Sequence, residues 1–200
     1  LATYAVPIPR ILVEYARVLS RSCDGLATQG IFRVSSSQQK IEVVETTTEN
    51  NNFNFAVDAT VPASPGTTAD VNAPVDLDTF HAVCSCFKRY LRTLPSRLLA
   101  HIPEEDFNVK THREAMISLR QHLTGDEYEV TLWLLDFLRE VVIAQTQRGR
   151  SDSETSVVAG DGVNRGDIGE SALGVIFATS LFPDIDLIEL TKEKGIAGVQ

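Results

Sequence analysis

The chain has 200 residues, 43% of them hydrophobic, which suits a single domain with one sizeable core rather than a collagen-like, coiled-coil or wholly disordered sequence. A formal net charge of −9 and a pI near 4.9 argue against a sequence-independent grip on phosphate backbones, so no nucleic-acid partner is expected. No apolar run approaches the roughly 18 residues that span a bilayer, and Cys23, Cys84 and Cys86, with no Asn-x-Ser/Thr sequon, fit a reducing cytoplasm better than a disulfide framework.

The opening at Leu1 rather than Met reads as a piece of a longer protein, and residues 1–200 are expected to form one domain. Its charge is uneven. Residues 1–100 carry nine Lys/Arg against nine Asp/Glu, and residues 101–200 carry nine against eighteen.

The first element is a helix over about 9–21, with Ile8, Ile11, Leu12, Tyr15 and Leu19 on one face and Pro9 tolerated in the first turn. A turn at Ser22-Cys-Asp-Gly25 follows. It leads into Asp24-Gly-Leu-Ala-Thr-Gln-Gly-Ile-Phe-Arg-Val-Ser35, in which Gly25 and Gly30 bracket a polar turn. Ile31 and Phe32 are expected to be buried, which would hold the next residue, Arg33, at a fixed place on the rim. Ser35 and Ser36, with Gln38 and Gln39 three residues on, offer capping-box starts for a short helix through Ile41 and Val44.

Residues 46–77 have no sustained period and many turn formers, so they read as a long, mobile, tolerated insertion. The clearest helix is Asp78 to Leu94, with Phe80, Val83, Cys84, Phe87, Leu91 and Leu94 at helical spacing and Pro95 stopping it. Lys88 and Arg92 each follow a core position by one residue and flank the buried stripe. Ordinary surface cations on a solvated face are the bland reading of the same pair. Ala115, Leu119 and Leu123 suggest another amphipathic helix within 111–123, closed by Thr124-Gly125. Tyr128 to Val142 is apolar on most sides, which predicts a helix in the middle of a bundle. Residues 145–168, polar and rich in glycine, read as a second flexible insertion with its mobile part at about 147–166.

Four stretches, in order, resemble the Rho-family GTPase-activating (RhoGAP) domain. Gly25 to Ser35 is similar to its Gly-Leu-x-x-x-Gly-Ile-Phe-Arg-x-Ser signature, and Phe87-Lys-Arg-Tyr-Leu-Arg-Thr-Leu-Pro-Ser-Arg-Leu-Leu99 to its Lys-x-x-Leu-Arg-x-Leu-Pro-x-x-Leu-Leu. Leu134 to Val141 resembles the family's Leu-x-x-Phe-Leu-x-x-Val helix, and Ala172-Leu-Gly-Val-Ile-Phe-Ala-Thr-Ser-Leu181 its Asn-Leu-Ala-x-Val-Phe-Gly-Pro-Asn/Thr-Leu. The resemblance implies an all-α helical bundle with two polar loop insertions. It puts an arginine finger at Arg33 and GTPase-contacting cations at Lys88 and Arg92. The last stretch departs from the pattern: Ala172 replaces an asparagine that contacts the GTPase and the finger loop in many members, and Ala178 and Thr179 stand for Gly-Pro. A methyl group makes no hydrogen bond in the asparagine's place.

Other chemistries fit less well. His81, Cys84 and Cys86 lack paired zinc-ligand spacing, and Cys84 falls on the apolar stripe, so no metal is expected. Asp161 to Asp167 superficially suggests calcium or integrin binding, but the calcium loop's twelfth-position glutamate is missing and Arg-Gly-Asp arises easily by chance. The acidic groups at Glu104–Asp106 and Asp126–Glu129 are more simply caps and dipole partners. No glycine-rich phosphate cradle with a lysine and no Gly-x-Ser-x-Gly elbow occurs.

The implied function is activation of a GTP-bound Rho-, Rac- or Cdc-class GTPase by Arg33 supplied in trans, from a cytoplasmic domain expected to be a monomer without cofactor or active site of its own. Recruitment to membranes or the cell cortex would fall to the GTPase or to further domains. The alternative is a non-catalytic binding module on the same fold, which Ala172, Ala178 and Thr179 favour and Arg33, Lys88 and Arg92 oppose. A self-sufficient hydrolase ranks below both.

Overall fold

Pro9 starts the first helix with its carbonyl, which accepts from the amides of Leu12 and Val13 at 3.0 and 3.4 Å. The computed structural model describes residues 8–50, 75–95, 97–103, 106, 111–155 and 170–181. The helices are α1 (Arg10–Arg21), α2 (Gln38–Glu49), α3 (Leu77–Thr93), α4 (His112–His122), α5 (Gly125–Thr155) and α6 (Glu170–Leu181), with one 3-10 turn at Gly25–Ala27 between α1 and α2. Among the described residues there is no strand, and the fold is all-α as expected.

The central helix is α3, against which α1, α2 and α6 pack. Asp76 caps it, accepting from the Thr79 amide at 2.9 Å and the Thr79 hydroxyl at 2.6 Å, and Phe80, Val83, Cys84, Phe87 and Leu91 are buried along it. The spacing read from the sequence therefore holds. The cap of α2 lies elsewhere than expected: Ser37, not Ser35 or Ser36, accepts from the Lys40 amide at 3.2 Å. The Ser36 hydroxyl is instead donated to Asp78 of α3, at 2.6 Å, which takes it out of competition for the helix terminus.

Three further expectations change. First, the chain does not become loop at residue 46, because α2 continues through Glu49. The hydroxyls of Thr46, Thr47 and Thr48 return to the carbonyls of Glu42, Val43 and Val44, each at 2.8 Å, and so do not break the helix. Buried Thr48 also accepts from Tyr15 of α1 at 3.2 Å. At the far end of the expected insertion Val75 is buried and Leu77 opens α3; residues 51–74 lie outside those described.

Second, α5 is not the middle of the bundle. Val130, Trp133, Leu134, Phe137 and Val141 are buried on one face, whereas Leu135 and Ile143 are each 44% exposed. Third, α5 does not end near Val142 but runs on to Thr155, so the beginning of the second expected insertion is helical; residues 156–169, including the whole Asp161 to Asp167 stretch, lie outside those described. Gln145 continues the buried face one turn after Val141, which gives the added turns a tertiary anchor that composition alone does not suggest.

Of the acidic groups, Glu127 has the capping role expected, whereas Asp106 bonds across to α4. Glu127 and Thr124 bond reciprocally at the start of α5, the Thr124 amide reaching Glu127 at 3.0 Å and the Glu127 amide reaching Thr124 at 3.4 Å. Asp106 accepts from the Ser118 hydroxyl at 2.8 Å and lies 3.4 Å from His122. At the core's centre five rings from four segments meet: Phe32, Phe87 of α3, Trp133 and Phe137 of α5, and Phe177 of α6. Phe32 thus ties the loop after α1 directly to the helices' shared core.

Candidate functional site

The segment from Ser22 to Ser37 crosses from α1 to α2 in a backbone shape that few sequences tolerate. Cys23, Gly25, Gly30 and Phe32 have φ of 53°, 60°, 77° and 59°. A Cβ on Gly25 would lie 2.9 Å from the Ser20 carbonyl oxygen, and one on Gly30 would lie 2.6 Å from Cγ2 of Val34, so both positions require glycine for space as well as angle. Phe32 has no such excuse and holds a left-handed conformation at a cost of order 1–3 kcal/mol. Its burial offsets that cost: the ring is fully buried, with centroids 4.9 Å from Phe177, 5.6 Å from Phe87 and 6.2 Å from Phe137.

The turn that follows presents Arg33. The Arg33 amide donates to the carbonyls of Gly30 and Ile31 at 2.9 and 2.8 Å, and the Val34 amide to Gly30 at 2.9 Å. Ile31 and Phe32 are both fully buried while Arg33 is exposed, so the burial pattern expected from the sequence is the one observed.

Lys88 joins this loop from α3. Its Nζ donates to the Phe32 carbonyl at 2.6 Å, and the residue is half-buried. Burial lowers the ammonium pKa, with Arg92 acting in the same direction and the Cys84 thiol opposing. Arg92, one turn further along α3 and exposed, is engaged elsewhere: its Nε donates to Ser180 of α6 at 3.1 Å, and Ser180 is fully buried. Lys88 and the Arg33 loop are therefore brought together, whereas Arg92 is oriented from α6.

Ser180 stands in the fourth family-like stretch, where Ala172, Ala178 and Thr179 also lie. The helix runs uninterrupted through Ala178 and Thr179 to Leu181, whose carbonyl accepts from the Leu99 amide at 3.1 Å. Three contributors to the site were not singled out in the sequence. Ser180 is one. Gln145 and Arg148 of α5 are the others: Gln145 donates to the carbonyls of Leu26 and Thr28, at 2.7 and 3.1 Å, and Arg148 to Ala27 at 2.7 Å and Asp24 at 3.2 Å. The signal that would have found Gln145 is its place in the series 130, 134, 137, 141, 145, which a polar composition hid.

The cysteines and His81 of α3 form no common centre, and among the described residues no group of three His, Cys, Asp or Glu side chains is arranged to hold a metal ion. Burial pushes the thiols of Cys84 and Cys86 up to about 12, which makes both inert. Cys86 points to the Ile41 carbonyl of α2, at 3.7 Å. His81 is buried with its Nδ1 lacking a hydrogen-bond partner among the described residues, and it stands behind the loop, 3.8 Å from where a Gly30 Cβ would be. Among the described residues no helix is long and apolar enough to cross a membrane.

The RhoGAP domain family model matches residues 9–185, which spans the Arg33 loop, α3 and α6. The chain belongs to the RhoGAP domain family. Solved structures agree on the fold. The chain is similar to the BH domain from GRAF, the GTPase regulator associated with focal adhesion kinase, at 15% identity and a TM-score of 0.56, over 91% of this chain and 83% of that one. It is also similar to human Rho GTPase activating protein 15, at 15% identity and a TM-score of 0.54, over 88% of this chain and 69% of that one. No curated protein sequence matches the chain. As a RhoGAP domain, it has a Rho-family GTPase as its implied partner.

Proposed function

We propose that this RhoGAP domain stimulates GTP hydrolysis by a GTP-bound Rho-family GTPase, with Arg33 as the group lent in trans. The observation that carries the reading is the exposure of Arg33 directly after two fully buried residues, Ile31 and Phe32, on a backbone whose Phe32 carbonyl is itself held by Lys88. Charge builds on the phosphoryl oxygens during transfer, and a small GTPase hydrolyses slowly for want of a donor there. A guanidinium supplied from outside raises the rate by about 10³ to 10⁵, or roughly 4 to 7 kcal/mol. Such a group must arrive already placed, since a misplacement of about 1 Å costs on the order of a hundredfold. A loop pinned into the core meets that requirement better than a floppy tip.

Lys88 and Arg92 complete the docking surface in this reading. Arg92, exposed and oriented by Ser180, is the cation suited to a forked contact with the GTPase. Lys88 acts mainly by shaping the finger loop and presents the rest of its charge to the partner.

A second reading, a binding module that docks a GTPase without accelerating it, draws on Ala172, which cannot supply the hydrogen bonds of the family's asparagine. Single-turnover GTP hydrolysis by a panel of purified Rho-, Rac- and Cdc-class GTPases, with and without the domain, separates the two. Stimulation of at least one member is expected; saturable binding with no stimulation across the panel would establish the binding module instead.

A further inference from the structure

We propose that Gln145 and Arg148 of α5 are positioning residues that hold the first half of the Arg33 loop, so that α5 as well as α3 sets where Arg33 stands. The catalytic consequence rests on the activator reading above; the holding itself does not.

Three consecutive carbonyls carry the argument. Gln145 takes those of Leu26 and Thr28 at 2.7 and 3.1 Å, and Arg148 takes that of Ala27 at 2.7 Å while its Nη1 also reaches Asp24 at 3.2 Å. The two side chains lie three residues apart and so share a helix face. The backbone they hold is a single 3-10 turn, Gly25–Ala27, with its C-cap Thr28; the turn is short, its own helical bond runs from the Thr28 amide to the Gly25 carbonyl at 3.1 Å, and the Thr28 carbonyl also accepts from the Ile31 amide at 3.2 Å. Gln145 is 1% exposed, so its amide has exchanged water for these carbonyls.

The loop needs such holding because its shape is strained. Left-handed residues occur at Cys23 before the turn, at Gly25 as its first residue, and at Gly30 and Phe32 after it. Strained backbone persists where its surroundings over-determine it. For Phe32 the surroundings are the aromatic core and Lys88. For the half from Asp24 to Thr28 they are Gln145, Arg148 and the Thr28 hydroxyl, which donates to the Gly25 carbonyl at 2.7 Å and accepts from the Asp24 amide at 3.2 Å. Freed from α5, the first half would move against a fixed Phe32, and the displacement would appear at the turn that presents Arg33.

The test uses Gln145→Met, which keeps length and bulk but no donor, and Arg148→Ala and Arg148→Lys. Amide hydrogen exchange is read on the domain alone. In Gln145→Met, amides from Gly25 to Val34 are expected to exchange at least about tenfold faster while those of α3 are unchanged. With a responsive GTPase, the stimulated single-turnover rate is expected to fall about 10- to 100-fold with affinity for the GTP-bound form kept within about threefold. Arg148→Ala is expected to show a smaller loss of the same kind, partly restored in Arg148→Lys, and it carries the test if Gln145→Met fails to fold. Unchanged exchange in the loop, or an equal rise in the loop and α3, overturns the proposal. So does a rate that falls only in step with affinity. Should the unmutated domain stimulate no Rho-family GTPase, the activator reading fails while the exchange measurement still decides whether α5 holds the loop.

Discussion

The ammonium of Lys88 lies 2.6 Å from the main-chain carbonyl of Phe32, the residue immediately before Arg33. A cation that sequence spacing marks as a rim charge is thus partly an internal brace. Lys88→Met keeps the buried stem and removes the donor. It is expected to change stability by only about 1 kcal/mol, because the lost bond is offset by relief of the ammonium's desolvation. Stimulated GTP hydrolysis should nonetheless fall at least about tenfold. A variant with unchanged stimulation and a melting temperature several degrees lower would assign Lys88 to structure alone.

Arg33→Ala separates contacts made in the transition state from contacts made in the ground state. The stimulated rate is expected to drop by orders of magnitude while affinity for the GTP-bound partner stays within about tenfold. Arg33→Lys should restore little, since an ammonium lacks the planar, multi-donor fork. Rate and affinity falling together, with a lower melting temperature, would instead mark Arg33 as a structural residue.

Gly30→Ala tests the shape of the loop without touching a charge. The new methyl would meet Val34 Cγ2 at 2.6 Å on a backbone at φ +77°. A stability loss of about 1–2 kcal/mol is expected from the left-handed angle alone. The turn bonded through the Gly30 carbonyl must shift, so stimulation should fall further than stability explains. Chemical denaturation beside single-turnover kinetics gives both numbers. Wild-type stability and stimulation in this variant would show that the loop tolerates another backbone path.

Burial holds the His81 imidazole pKa below its ordinary value, with Asp78 acting in the opposite direction. The unfolded chain then binds this proton more readily than the folded domain between the depressed pKa and about 6.5, so stability rises with pH across that window and is lost on acidification through it. The melting temperature is expected to fall as pH is lowered from about 7 to 5, and His81→Leu should flatten that dependence. Asp76 does not confuse the measurement. Burial raises its pKa, but hydrogen bonds from Thr79 and the nearby Lys40 charge leave it lowered overall, so it acts only below the ordinary carboxylate range. A slope identical in wild type and variant would place the acid-sensitive group elsewhere.

Much of the fold was legible because it depends on period. The buried stripes of α1 and α3 follow apolar spacing, and Pro95 lies just past the end of α3. The structure departs from that reading where polar residues find hydrogen-bond partners, either within their own helix or across the fold. Thr46 to Thr48 look like loop but close their hydroxyls on the helix, and Gln145 and Arg148 look like part of an insertion until the Leu26 to Thr28 carbonyls stand opposite them.

The sequence by itself determined the family, the all-α class and the order of burial through Ile31, Phe32 and Arg33, because the family signatures, apolar periodicity and adjacent polarity are all local properties of the chain. It could not distinguish a solvated cation from one aimed at a carbonyl, nor a loop glutamine from a buried one. Those assignments belong to tertiary structure. A polar side chain's role is set by the donor or acceptor it faces after folding, and for Lys88, Arg92, Gln145 and Arg148 that partner is 56, 88, 119 and 121 residues away in sequence.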